Sequence, residues 1–362
     1  MSNLSAKMQN TVKIEHLKLS EKDKLLAFLQ DAYADNPRMS DADFWTWHFL
    51  ETPFANQEKL PVWVAKSGET IAGQIAAIPV KINVGGEQKD AIWILDLIVS
   101  KDFRRQGLAK KLVKAAEEFC TLILGVNTNE QHAPKLLQSL GFVIVGKIPR
   151  FHKLLFAGND IREIANLKPL REVINLAFAP IRKTFKPNKN VRIVKIFDEI
   201  FDKFWAEAEQ QWSCAVRREA KFLEWQYLKQ PQKKFDVIGY FEGEKLLGYA
   251  VLFFRKASEN GTIKKAAITD ICYLPEKSQE TIDALLQESL RIAIERRVGG
   301  LVVDVIDELL EQRLEKFGFW RVKNPLQLMV KSPERQDLLY NPKQWFLTRG
   351  DSDISIFECP NL

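Results

Sequence analysis

Residues 92–120 constrain this chain more than any other stretch. Ile92 to Val99 is apolar except for Asp96, the pattern of a strand covered on both faces. A polar elbow, Ser100 to Phe103, leads into Arg104-Arg105-Gln106-Gly107-Leu108-Ala109. Leu108, Leu112, Ala115 or Ala116, and Phe119 then recur at helical spacing, with Lys110, Lys111, Lys114 and Glu117 on the opposite face. The spacing predicts strand, tight basic turn, helix. Gly107 permits the sharp turn. The N–H groups of the first helical turn have no intrahelical acceptor, so the elbow is an anion site suited to a pyrophosphate.

Other phosphate-binding turns need different spacings. Neither G-x-x-x-x-G-K-[ST] nor G-x-G-x-x-G is present. Arg104-x-x-Gly107-x-Ala109 after a strand, within LDLIVSKDFRRQGLAKKLV, resembles the pyrophosphate loop of the GNAT N-acetyltransferase superfamily. The resemblance implies acetyl-coenzyme A as co-substrate and an α/β fold of mixed, mostly antiparallel twisted sheet flanked by helices. It places the pantetheine arm in a gap beside the central strand. That implies backbone contacts from Leu97, Ile98 and Val99, and pyrophosphate contacts from Arg104, Arg105, Gln106, Gly107, Leu108 and Ala109.

The element pattern over residues 11–158 follows the same order. Strands are expected at 12–17, 62–66, 71–84, 92–99, 122–126, 142–147 and 151–156, the last closing the sheet. Helices are expected after Ser20, read as a weak cap, at 40–50, at 108–119 and at 133–140.

The second half repeats the first. Ala42-x-Phe44-x-x-Trp47-x-x-Leu50-x-x-Pro53 recurs as Ala220-x-Phe222-x-x-Trp225-x-x-Leu228-x-x-Pro231, every position shifted by 178. Gly68-Glu69, Asp96-Leu97-Ile98 and Gly141-Phe142 recur as Gly243-Glu244, Asp270-Ile271-Cys272 and Gly318-Phe319, at shifts of 175, 174 and 177. Near-constant offsets indicate an internal duplication. We therefore expect a flexible tail (1–10), a cofactor-binding GNAT domain (11–158), a helical basic linker (159–189), a degenerate GNAT-like domain (190–335) and a C-terminal tail packed on both (336–362). In the second copy the elbow falls on Ser278 to Asp283. It has no glycine, and Glu280 and Asp283 put negative charge where a pyrophosphate would lie.

Acetyl transfer to an amine requires a base, a polarised carbonyl and a proton for the departing thiolate. Asp96 is the one acid in the central strand. It is a candidate base, although Asp270 survives in the copy that lost the elbow, which favours a structural role for both. Glu130 is the second catalytic candidate. The family's helix-start asparagine position falls on Glu130, with Asn129 beside it as a cofactor contact. The usual thiolate-protonating tyrosine position is Leu137, a departure that puts the proton donor in doubt. His132 is a weaker candidate, and His16, His48 and His152 lack a catalytic context.

Composition sets the remaining bounds. Net charge is +6 over 362 residues, too mild an excess to argue for nucleic acid. Four scattered cysteines without a C-x-x-C pair, no signal peptide and no membrane-length apolar run point to a cytoplasmic protein. No metal-ligand spacing stands out. The linker joins an apolar helical face to Arg182, Lys183, Lys186 and Lys189. This is read as a docking helix with a solvated turn, a membrane-surface patch being the sharper alternative. The tail segment Trp345 to Asp353 is read as a last strand with a capped turn, or else as a flap placing Asp351 and Asp353 near an amine.

The expected function is acetyl-CoA-dependent N-acetylation of a small-molecule amine or amino sugar, with the second copy shaping the acceptor site. Two alternatives stay open. A tandem-GNAT aminoacyl transferase would use aminoacyl-tRNA and would not need the Arg104–Ala109 loop. A non-catalytic acyl-CoA-binding regulatory module would not need the missing tyrosine.

Overall fold

The structure is a computed structural model describing residues 12–34, 36–54, 59–127, 133–160, 167–177, 179, 185–232, 234–255, 263–323, 326–334 and 337–352. The first half of the chain runs β1 (Lys13–His16), α1 (Lys22–Ala32), α2 (Ala42–Phe49), β2 (Val62–Ser67), β3 (Thr70–Val84) and β4 (Glu87–Val99). It continues with α3 (Leu108–Phe119), β5 (Ile123–Asn127), α4 (Ala133–Ser139), β6 (Val143–Lys147) and β7 (Arg150–Leu154). Two helices follow, α5 (Ala157–Asp160) and α6 (Lys168–Ala177).

The second half opens with β8 (Val191–Val194), α7 (Glu199–Ala208), β9 (Cys214–Val216) and α8 (Ala220–Leu223). Next come β10 (Phe235–Glu242), β11 (Lys245–Phe254), β12 (Lys265–Tyr273), α9 (Ser278–Glu295) and β13 (Gly300–Ile306). It ends with α10 (Glu308–Lys316), β14 (Trp320–Val322), β15 (Gln327–Lys331), α11 (Asp337–Tyr340) and β16 (Trp345–Thr348).

Local chemistry explains the boundaries. Asp41, not Ser40, caps α2 by accepting from the Phe44 N–H at 2.7 Å. Ser20 lies in a 3₁₀ turn, and α1 starts without a side-chain cap. Gly141 and Gly318 follow α4 and α10 at φ +91° and +76°, the left-handed conformation that ends a helix at little cost in glycine.

The two halves do not form separate sheets. Among the described residues, all sixteen strands join in one mixed sheet, with β9 and β16 bridging β3 to β13. Pairing is antiparallel except for β4–β5, β12–β13 and β9–β16. The halves also exchange their closing strands. β15 lies between β5 and β6, while β7 pairs with β13 and β14. The expectation that residues 151–156 close the first sheet is thus corrected. A strand does lie at 150–154, but its partners lie more than 145 residues downstream, where Arg150 meets Asp304 in register.

One buried cluster fills the space between α3 and the first half's strands, and a second fills the C-terminal half. The third draws Trp47, Ile78, Val80 and Trp93 from the first half together with Cys214, Phe222, Trp225, Leu328 and Trp345 from the second. At its centre the Trp47 and Trp225 rings stack at 4.8 Å, and each indole N–H donates to the other's carbonyl at 2.9 Å. The residues paired by the 178-residue repeat thus meet face to face.

Candidate functional site

The site begins at a break in β4. Ala76 pairs with Leu95 and Gln74 with Ile98, so Ile75 opposes both Asp96 and Leu97. This is a β-bulge, and Asp96 occupies it at φ +53°. Aspartate tolerates the left-handed conformation better than most residues. The extra residue resets the alternation. Trp93 and Leu95 face the shared cluster, whereas Leu97 and Val99 pack on the α3 side with Ile92 and Ile94.

β4 and β5 pair only at Ile92↔Ile123 and Trp93↔Leu124. Beyond that point the strands part, and Leu97, Ile98 and Val99 line the opening at intermediate exposure. Below the opening, Arg105 and Gly107 turn the chain at φ +64° and +73°. Gly107 is the N-cap of α3, with no side-chain cap and no acid in the first turn. Arg104 donates from Nε to the Val99 carbonyl at 3.2 Å, tying the loop to the strand end. Arg104 through Gly107 are exposed; Leu108 is buried and anchors the helix. The result is a helix N-terminus with free donors and two guanidiniums, at the end of a split between strands, and an anionic, extended ligand fits it. Glu130, Asn129 and His132 lie outside the described residues. Leu137 is a buried core residue with Leu108, Leu112 and Phe142 around it.

In the second half a gap between parallel strands is filled. β12 and β13 pair from Lys265↔Gly300 to Ile268↔Val303. Past that point, β16 pairs with Val305 and Ile306 of β13, and the 3₁₀ turn Arg349–Asp351 enters beside β12. Thr348 and Asp351 form a capping box there, as the strand-with-capped-turn reading of the tail expects. A Cβ on Gly350 would lie 2.0 Å from the Tyr227 Oη. Asp270, the repeat partner of Asp96, is buried. It accepts from Thr348 Oγ1 at 2.8 Å, Tyr249 Oη at 2.8 Å, Tyr227 Oη at 3.3 Å and Arg218 Nε at 3.4 Å. Burial, then the Asp270 charge, pushes both tyrosine hydroxyls well above the usual phenol range, so they remain donors. Arg218 also holds Asp351 at 2.6 Å. Burial pushes the Asp351 carboxyl up to about 6 against the pull of Arg218. At the start of α9, Glu280 accepts from the Tyr240 hydroxyl at 2.8 Å and Asp283 from Arg313 Nε at 2.7 Å. A phosphate there would face two carboxylates.

A small buried cavity of about 10 Å³, room for about one water, lies between the halves. Trp47, Ile78, Val80 and Trp93 line one side; Phe222, Trp225, Gln226, Asp351 and Ser352 line the other. Among the described residues, Trp93 Nε1 and Gln226 Oε1 are buried without a hydrogen-bond partner. One is a donor and the other an acceptor, a pair that a single buried water satisfies. Trp93 sits three residues before Asp96, roughly 10 Å along the strand. Gln226 and Trp93 were not singled out from sequence. The repeated tryptophans were visible at constant offset, but nothing local shows that the two copies face each other.

Residues 26–142 match the acetyltransferase (GNAT) family. The chain is 34% identical over 108 residues to N-acetyltransferase 8F1 of Rattus norvegicus, covering 28% of this chain and 47% of that protein. It is 34% identical over 91 residues to N-acetyltransferase 8 of Homo sapiens, covering 24% and 39%. The chain thus spans less than half the length of these curated relatives. Its fold resembles Saccharomyces cerevisiae N-myristoyltransferase with bound myristoyl-CoA, at TM-score 0.59 and 12% identity over 91% of this chain and 85% of that one. It also resembles a GCN5-related N-acetyltransferase from Anabaena variabilis, at TM-score 0.59 and 14% identity over 88% and 72%. The matched segment is therefore of GNAT acyltransferase type, and it contains both the bulged strand and the α3 loop.

Proposed function

We propose that the protein is an acetyl-CoA-dependent N-acetyltransferase with one cofactor site, on β4 and α3, and an acceptor cleft built by both halves. The observation that carries this reading is the uncapped start of α3 after Gly107, placed where β4 and β5 part. In this reading the loop Arg104 to Ala109 holds the pyrophosphate and the backbone of Leu97 to Val99 holds the pantetheine arm. Asn129 adds a cofactor contact. The second half is a degenerate copy whose equivalent split is closed by the tail, so it binds no coenzyme A.

The acceptor is a small amine or an amino sugar. Asp96 removes the amine proton, directly or through water, with Glu130 as the second candidate. The backbone N–H groups at the bulge polarise the thioester carbonyl.

Turnover with a panel of amines, followed by thiol release, tests the reading. Asp96→Asn should lower kcat by about 10²–10⁴-fold, the range for loss of a general base, with acetyl-CoA affinity kept. An unchanged kcat would remove Asp96 from the chemistry.

The buried Leu137 at the expected proton-donor position favours a second reading, an acyl-CoA-binding regulatory module. Acetyl-CoA binding without turnover of any amine would select it.

A further inference from the structure

Helix α6 is docked the wrong way round. An amphipathic helix normally turns its apolar stripe to its own core. Here the polar face is the one engaged. Asn175 is buried, accepting from the Gly158 N–H at 2.8 Å and donating to Asn159 Oδ1 at 3.1 Å. Glu172 pairs with Arg297. A Cβ on Gly158 would lie 2.3 Å from the Arg171 carbonyl, so α5 and α6 are in backbone contact. The apolar face is left outward, with Leu167 54%, Leu170 46%, Val173 65% and Leu176 74% exposed.

The chain beyond α6 carries the charge that identifies what covers this face. Between Glu172 and Asp198 lie Arg182, Lys183, Lys186, Lys189, Arg192 and Lys195, and no acid. Ile193 and Ile196 stand exposed among the last of these cations. α6 and the strand beside β8 are both tied to the residues that follow α9. Arg297 pairs with Glu172 of α6, and Arg296 pairs with Asp236 of β10, the strand beside β8. A second copy of the chain docking here about a two-fold axis would bring the same cations face to face. An anionic surface would not be repelled.

We propose that α6, with Lys186, Lys189, Arg192 and Lys195, seats the protein on an anionic lipid bilayer, α6 lying in the headgroup–acyl boundary with Leu167, Leu170, Val173 and Leu176 inserted. The helix is ten residues, or about 15 Å, long, suited to lying in the interface and too short to cross it. This inference does not depend on the acetyl-transfer reading.

The test is co-sedimentation of the full chain with phosphatidylcholine vesicles and with vesicles containing 30% phosphatidylserine. The wild type should bind the anionic vesicles and be released by 0.5 M NaCl. Lys186→Glu/Lys189→Glu keeps the apolar face and should weaken partitioning by roughly thirtyfold or more, at ~1 kcal/mol per cation. Leu170→Asp/Val173→Asp changes only exposed side chains and should abolish binding with unchanged circular dichroism and melting temperature. Equal binding by both variants, or no sedimentation of the wild type with anionic vesicles, would overturn the proposal. So would a concentration-dependent dimer that Leu170→Asp/Val173→Asp dissolves, which would assign the face to a second copy.

Discussion

Burial among Phe44, Trp47, Phe49 and Trp225 holds the His48 imidazole neutral, its pKa pushed down to about 3, with Arg38 adding to the effect. The folded value lies below the unfolded one, so the stability is fully present above about pH 6.5 and is lost as pH falls toward 3. Each pH unit in that window should cost ~1.4 kcal/mol. Urea unfolding of wild type and His48→Phe across pH 4–8 should show this slope as the difference between the two curves; parallel curves would contradict it. Asp304 presents the opposite case. It is fully buried and shared by Arg150 at 2.6 Å and Arg349 at 2.6 Å. Asp304→Ala would leave two buried guanidiniums without that carboxylate and should cost about 3–5 kcal/mol in the same assay. Sequence reading saw no role for His48 and did not pair Arg150 with Asp304. Trp225 and Asp304 lie more than a hundred positions from the His48 and Arg150 they meet.

Among the elements, strand β4, its elbow and α3 were legible because their signals are local. The apolar run, Gly107 and the amphipathic stripe all lie within about thirty residues. The capped turn of the tail was legible for the same reason, from Thr348 to Asp351. Strand partners were not. The residues of β7 mark a strand but say nothing about which sheet it enters, and β15 is not read as a strand at all. The outward apolar face of α6 was likewise hidden, since periodicity defines a stripe without saying which side is docked. The tail plug makes a prediction at this scale. Gly350→Ala places a methyl 2.0 Å from the Tyr227 Oη. It should destabilise the chain by about 1–3 kcal/mol through overpacking, read as a lower melting temperature. An unchanged melting temperature would mean that the tail does not need its close seat against Tyr227.

For the whole molecule, the exchange of β7 and β15 binds the halves into one folding unit. Neither half has its full complement of strands without the other, and the shared cluster around Trp47 and Trp225 draws on both. Calorimetric unfolding should give a single transition; two resolved transitions would contradict a shared core. The repeat in the sequence predicts two similar halves; in the structure the two halves of the chain are interlocked, the gap beside β4 open and the gap beside β12 plugged. That inequality is the centre of the account, and isothermal titration of acetyl-CoA into wild type and Gly107→Glu tests it most directly. The account predicts one site per chain in the wild type and none in the variant, where a carboxylate and a strained left-handed backbone replace the glycine. Two sites in the wild type, or undiminished binding by Gly107→Glu, would contradict it.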